Sequence, residues 1–161
     1  MVMKVEVFEK GVRKVKMQNS KIKMKVRVIL TSASGKKFTQ KDAKRLAKYD
    51  QVIFLCGRYE GVDARVEEHI ADEAFSIGDY VVTGGELPAL VMIDAIARHV
   101  PGVLGKKESL AEESHTKEGV LEYPQYTKPE VYKKWKVPNV LMSGDHKKIS
   151  AWRKTQSDQR H

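Results

Sequence analysis

Cysteine is nearly absent from this chain of 161 residues: Cys56 stands alone. That excludes an internal disulfide and suits a reducing cytoplasm. No apolar run reaches the roughly 18 residues that a membrane-spanning helix needs. The opening "MVMKVEVF" has neither the basic lead nor the small-residue cleavage site of a secretory signal. The histidines, His69, His99, His115, His146 and His161, are too scattered for a local metal motif. Without further cysteines a structural zinc site is not expected, so the metal expectation is none. Two nucleotide motifs are also missing: there is no G-x-x-x-x-G-K-[ST], and no G-x-G-x-x-G follows a strand.

Positive charge, by contrast, is abundant. The net charge is +9, and its distribution is uneven. Residues 1–50 carry 15 Lys/Arg against 4 Asp/Glu; residues 51–105 carry 3 against 9; residues 106–161 carry 12 against 8. Basic flanks around an acidic middle suit a polyanion outside and a neutral or cationic small ligand at the centre. Taken alone, the lysine-rich stretches read sooner as solvated faces, and only their combination with a separate ligand site favours the polyanion.

Periodicity organises the first two thirds. Residues 5–17 place Val5, Phe8, Val12 and Val15 at helical spacing. "VRVIL" (26–30) is a buried strand leading into a "TSASG" loop, and "QVIFLC" (51–56) is a second strand closed by Gly57. Between them, 39–49 is a helix with a Thr cap. Residues 62–73 form another helix, and "DYVV" (79–82) is the expected third strand before Gly84-Gly85. "LPALVMIDAIARHV" (87–100) is a strongly apolar helix with Pro88 in its first turn. Strand, glycine loop and helix in repetition predict an α/β fold with a mainly parallel sheet covered by helices. Ligands bind such sheets at the carboxyl ends of the strands. Residues 106–119 are polar and aperiodic, hence an expected linker. Residues 120–161 contain one clear helix, capped at Asp145, and too little apolar content for an independent core.

Three features carry chemistry. The "TGGELP" turn has the glycines of a phosphate cradle, but Glu86 already supplies the negative charge that the helix N-terminus favours. It predicts a tight cleft for a ligand without phosphates. "CGRYEGVD" (56–63) gathers Arg58, Tyr59, Glu60 and Asp63 around two glycines, either as a site or as a surface turn of mixed charge. Asp94 and Arg98, four apart on an apolar helix, are either a helix salt bridge or a pair facing a cleft.

"FLCGRYEGVDARV", "SIGDYVVTGGELPALVMIDAIARHVPGVLG" and "YPQYTKPEVYKKWKVPNVLMSGDHKKISAWR" resemble successive blocks of the bacterial tRNA (guanine-37-N1)-methyltransferases, which belong to the SPOUT class. The resemblance runs in order from Met1 to about Gln156. It implies a deep trefoil knot in the α/β domain, an exception to the rule against threading. It implies a knotted cofactor-binding domain over 1–105, the linker over 106–119, and a partial helical tRNA-binding domain over 120–161. It also implies S-adenosyl-L-methionine as cofactor, tRNA as substrate, a cytoplasmic homodimer, and an active site across the dimer interface. The cofactor positions carried over are Leu30 and Gly35 from the first loop, then Gly57, Tyr59 and Glu60 from the second. Ile77, Tyr80, Val82, Gly84, Gly85 and Pro88 come from the third.

Methylating guanine N1 requires loss of a proton whose pKa lies well above neutrality. A carboxylate base and a cation at O6 together stabilise the developing anion. Arg98 matches the family's arginine in the second role. Glu113, in "EESH", matches the family's aspartate base, with a solvated linker charge as the bland reading. The first loop carries Ala33 where a proline is common. The family's first strand, helix and "GGGPG" loop precede the position of Met1, and further helices follow the last one here. The chain is therefore expected to be a shortened member, and a catalytically silent cofactor- or RNA-binding fragment is the alternative reading. A Rossmann-type oxidoreductase is disfavoured by the missing fingerprint.

Overall fold

The longest strand organises the first of two compact units, Met1–Gly105 and Lys106–His161. The computed structural model describes residues 1–18, 23–104, 114–115 and 120–158. After helix α1 (Val5–Gln18), strand β1 (Val26–Lys37) takes the centre of a three-stranded sheet. Helix α2 (Gln40–Leu46), β2 (Gln51–Cys56), α3 (Ala64–His69), β3 (Glu73–Ser76) and α4 (Glu86–Ala97) follow. The sheet order is β2-β1-β3 and both pairings are parallel.

Alternation along β1 builds two cores, because successive side chains in a strand point to opposite faces. Val28 and Leu30 join Phe8 and Val12 of α1, Leu55 of β2 and Val66 of α3. Ile29 faces the other way and joins Ala43 and Leu46 of α2, Phe75 of β3, and Met92 and Ile96 of α4. The result is a sheet with helices on both faces, as the repeated strand–loop–helix pattern predicts. A parallel sheet needs that cover.

Three boundaries differ from the sequence reading. The third strand is "EAFS", not "DYVV": β3 pairs Glu73, Ala74 and Phe75 with Ile29, Leu30 and Thr31. "DYVV" lies exposed, with Val81 85% accessible. Its branched side chains have no sheet partner, because a turn held by the Ser76 hydroxyl to the Gly78 backbone ends the strand first. The strand expected to stop before "TSASG" instead resumes after an excursion, since Thr31 and Lys36 both pair with Phe75. The helix expected over 62–73 is only Ala64–His69, capped by Asp63. It ends because Asp72 turns back to β1, its carboxylate accepting the Val28 N–H at 2.7 Å.

Charges lock the amino end of this sheet. Glu73 accepts from Arg27 Nε at 2.8 Å and from Arg45 Nη2 at 2.6 Å. Asp42, buried, completes a capping box with Thr39 and accepts from Lys36 Nζ at 2.9 Å. Burial pushes both carboxyls up, but their hydrogen bonds outweigh it and hold both below the usual range. A depressed carboxyl stabilises the fold above its unfolded pKa and loses that contribution as pH falls through the folded value. Stability should thus be full above about pH 5 and fall progressively below it. Glu73→Gln should cost about 1–3 kcal/mol at pH 7 and flatten the acid limb. Thermal denaturation between pH 3 and 7 checks this; parallel profiles for variant and parent would refute it.

The second unit is built locally. Strands β4 (Val131–Tyr132) and β5 (Trp135–Lys136) form an antiparallel hairpin, followed by α5 (Asn139–Met142) and α6 (His146–Asp158). Asp145 caps α6 as expected, its carboxylate accepting from the Lys147 and Lys148 N–H groups. Tyr126 packs on Trp152, and the Arg153 guanidinium stands 4.7 Å from the Tyr123 ring centroid. None of this unit's described residues is fully buried. Most of the expected linker, including Glu113, lies outside the described residues.

Candidate functional site

Three chain excursions meet at the carboxyl ends of the strands. The first is the 32–35 excursion of β1, whose Ser32 and Ser34 hydroxyls are 2.9 Å apart. The second follows β2. Its backbone is tied to the first residues of the chain: Glu60 N–H donates to the Met1 carbonyl at 3.1 Å, and Met3 N–H to the Gly61 carbonyl at 2.9 Å. Within it, Tyr59 sits at φ 62°. That left-handed conformation is uncommon for a side-chain-bearing residue and concentrates at ligand sites. The third runs from Ile77 to Gly85, with Asp79 paired to Lys37 at 2.8 Å.

Between them lies a cleft of about 490 Å³, within the size range of small-molecule sites. Leu30 of β1 lines it, with Gly57, Tyr59 and Glu60 of the second loop. Ile77, Tyr80, Val82, Gly84 and Gly85 of the third loop line the far side, and Pro88 of α4 closes it. Gly35 is not among the lining residues. A Cβ there would lie 2.7 Å from the Ala74 carbonyl carbon and the Phe75 nitrogen, so this glycine admits the backbone of β3. The sequence reading does not place Thr31, Val62 or Glu67 at the cleft, although Glu67 follows Asp63 by one helical turn.

Gly85 joins two of the loops. Its N–H donates to the Gly57 carbonyl at 2.9 Å. A Cβ on Gly85 would overlap the Thr31 hydroxyl and come within 2.8 Å of Cys56 Cα and 2.9 Å of Gly57 N. Just beyond, Glu86 opens α4 and accepts from Arg58 Nε at 2.9 Å. Its carboxyl is held below the usual range, first by its own backbone N–H and then by Arg58. The anion position at this helix start is therefore filled by a side chain.

Asp63 is another fixed negative charge on the cleft wall, its carboxyl pushed down to about 2 chiefly by the Arg65 side chain and then the Arg65 backbone N–H. Glu60 and Glu67 add to the acidic lining. Cys56 is adjacent but is kept a thiol: burial, then the charge of Glu86, push its pKa up. It is not primed as a nucleophile.

Arg98 lies elsewhere. It caps the carboxyl end of α4, 12 residues beyond Glu86, or about 18 Å along the helix. It does not line the cleft. No group of three or more potential metal ligands occurs among the described residues. No helix there is long and apolar enough to cross a membrane.

A helix-covered parallel sheet with a glycine-lined cleft at its strand ends defines the α/β class of fold, in which ligand sites fall at that end of the sheet. Comparison with known proteins gives the family. All of residues 1–161 match the family described as tRNA (Guanine-1)-methyltransferase TrmD, and the chain belongs to it. A tRNA (guanine-N(1)-)-methyltransferase from Dictyoglomus turgidum is 52% identical over 157 residues, covering 98% of this chain and 61% of that protein. One from Carboxydothermus hydrogenoformans is 50% identical over 157 residues, covering 98% and 59%. One from Dehalococcoides mccartyi is 51% identical over 130 residues, covering 81% and 52%. The chain thus spans little more than half the length of these relatives.

Proposed function

We propose that this chain binds S-adenosyl-L-methionine in the cleft and methylates N1 of guanine 37 in tRNA, as a cytoplasmic homodimer with a trefoil-knotted α/β domain. One observation carries the reading. Of eleven cofactor positions carried over by resemblance, ten, scattered from Leu30 to Pro88, line a single cleft.

The residues present fit the cofactor. Leu30, Ile77, Val82 and Pro88 give an apolar wall for a flat heterocycle. Gly57, Gly84 and Gly85 let the loop walls pack closely on their own neighbours, since a Cβ on Gly57 would meet Val62 Cγ2 at 2.7 Å. Glu60, Asp63 and Glu67 place negative charge along the lining, suited to a cation without phosphates. When bound, the cofactor supplies a methyl group on positively charged sulfur. On the substrate side, Glu113 takes the N1 proton of guanine and Arg98 donates to O6 as charge develops there.

The distance of Arg98 from the cleft supports the dimer, since a second copy would be needed to complete the site. So does α4, whose outer face exposes Leu87, Leu90, Val91 and Ile93. An exposed apolar patch of that kind marks an interface. The test is calorimetry of the folded chain with S-adenosyl-L-methionine. We expect saturable binding at one cofactor per cleft, with a Kd of about 1–100 μM, or roughly −8 to −5.5 kcal/mol. Folded protein giving no heat with either this cofactor or S-adenosyl-L-homocysteine would overturn it.

A further inference from the structure

We propose that the β4–β5 hairpin is a stacking platform for an unpaired RNA base. It rests on the reading that this chain's substrate is RNA. Tyr132 and Trp135 are direct cross-strand partners. Their ring centroids are 5.8 Å apart and the rings are tilted by 36°. Both are exposed, Tyr132 at 55% and Trp135 at 69%. Two large rings left in water on so small a hairpin contribute little to its folding, since neither buries most of its surface.

The turn between them is Lys133-Lys134, with Lys133 at φ 56°. Glycine or asparagine is far more usual at such a position. Here a lysine holds it, with Nζ 5.7 Å from the Tyr132 ring centroid. Residues 128–136 carry four lysines, Lys128, Lys133, Lys134 and Lys136, against the single acid Glu130. A protein interface of this size would be depleted of lysine at its aromatic centre. Exposed aromatic faces ringed by lysine instead match single-stranded nucleic acid, where rings stack on bases and the cations follow the backbone. The hairpin itself is closed by Val137 N–H donating to the Glu130 carbonyl at 2.9 Å. Its tip is therefore presented on a fixed base.

The test uses the whole chain and two fluorescein-labelled probes, a 12-nucleotide single-stranded RNA of mixed sequence and an abasic ribose-phosphate of equal length. The parent should bind the RNA on the order of tenfold tighter than the abasic strand. Trp135→Ala should remove most of that difference and leave abasic binding unchanged, whereas Trp135→Phe should restore much of it. Lys133→Gln with Lys134→Gln should weaken both probes alike and reduce the salt dependence. In a Trp152→Phe background, RNA should quench Trp135 fluorescence and the abasic strand should not. Equal losses on both probes with Trp135→Ala, bound RNA without quenching, or a fall in oligomer mass with Trp135→Ala would each overturn the proposal. Neither probe nor readout involves the cofactor. Failure of cofactor binding in calorimetry therefore leaves this result interpretable, and the reverse holds.

Discussion

Gly85→Ala should abolish detectable cofactor binding and lower the melting temperature, while the neighbouring Gly84→Ala should do little to stability. The difference lies in what each new methyl group meets. At Gly85 the Cβ is driven into the Thr31 hydroxyl and against backbone atoms of Cys56 and Gly57. Thr31 is buried and its hydroxyl donates to the Leu55 carbonyl at 3.2 Å. None of these atoms can swing aside. The loop must move as a body, breaking the Gly85–Gly57 hydrogen bond that joins two walls of the cleft. A cost of about 3 kcal/mol or more is expected from overpacking and the lost bond. That corresponds to roughly 6–12 °C for a chain of this size. At Gly84 the new Cβ meets Glu86 Oε2 at 2.5 Å and Arg58 Nε at 3.1 Å, the ends of two half-exposed side chains that can rotate away. Thermal scans and calorimetry on both variants check the claim; equal behaviour of the pair would refute it.

Arg98→Ala should reduce methyl incorporation by about 10²–10³-fold and leave cofactor affinity near that of the parent. The second half follows from position, because Arg98 stands at the far end of α4 from the cleft. Loss of affinity together with rate would mean that the arginine acts on the cofactor site instead. Glu113→Gln should also lower the rate, by about 10²–10⁴-fold. Its signature is a pH profile: without the base, the rate should climb with pH as more guanine N1 is already deprotonated. Arg98→Ala should not show that recovery. Methyl incorporation measured from pH 6 to 9.5 separates the two roles.

Most of the architecture is legible in the sequence because it rests on local pattern. The β-branched runs at 26–30 and 51–56, the Thr39 cap and the apolar helix after Gly85 all form where their residue types predict. What fails depends on tertiary partners. "EAFS" carries an acid and a serine at its ends and lacks a strand's texture. It pairs because Arg27 and Arg45 neutralise Glu73 and because β1 offers it an edge. "DYVV" has the texture and no partner. Residues 32–35 have the composition of a loop that ends a strand, and only the double pairing of Phe75 shows that the strand resumes.

The candidate cleft is visible through its glycines and through Glu86, whose charge argues against phosphate before any ligand is in view. Which glycine bears the close contact is not visible, since that depends on how closely α4 approaches the end of β2. The offset of Arg98 from the cleft is present in simple helix arithmetic, 12 residues at about 1.5 Å each. The proposal that follows from it, a site completed by a second copy, can be made only once the cleft has a position.

The most direct measurement is methyl transfer from radiolabelled S-adenosyl-L-methionine to two tRNA transcripts, one with guanine at position 37 and one with that guanine replaced. The account predicts incorporation into the first only. Incorporation into both, or into neither with folded, cofactor-binding protein, would contradict it, and the second outcome would leave a silent cofactor- or RNA-binding fragment in its place.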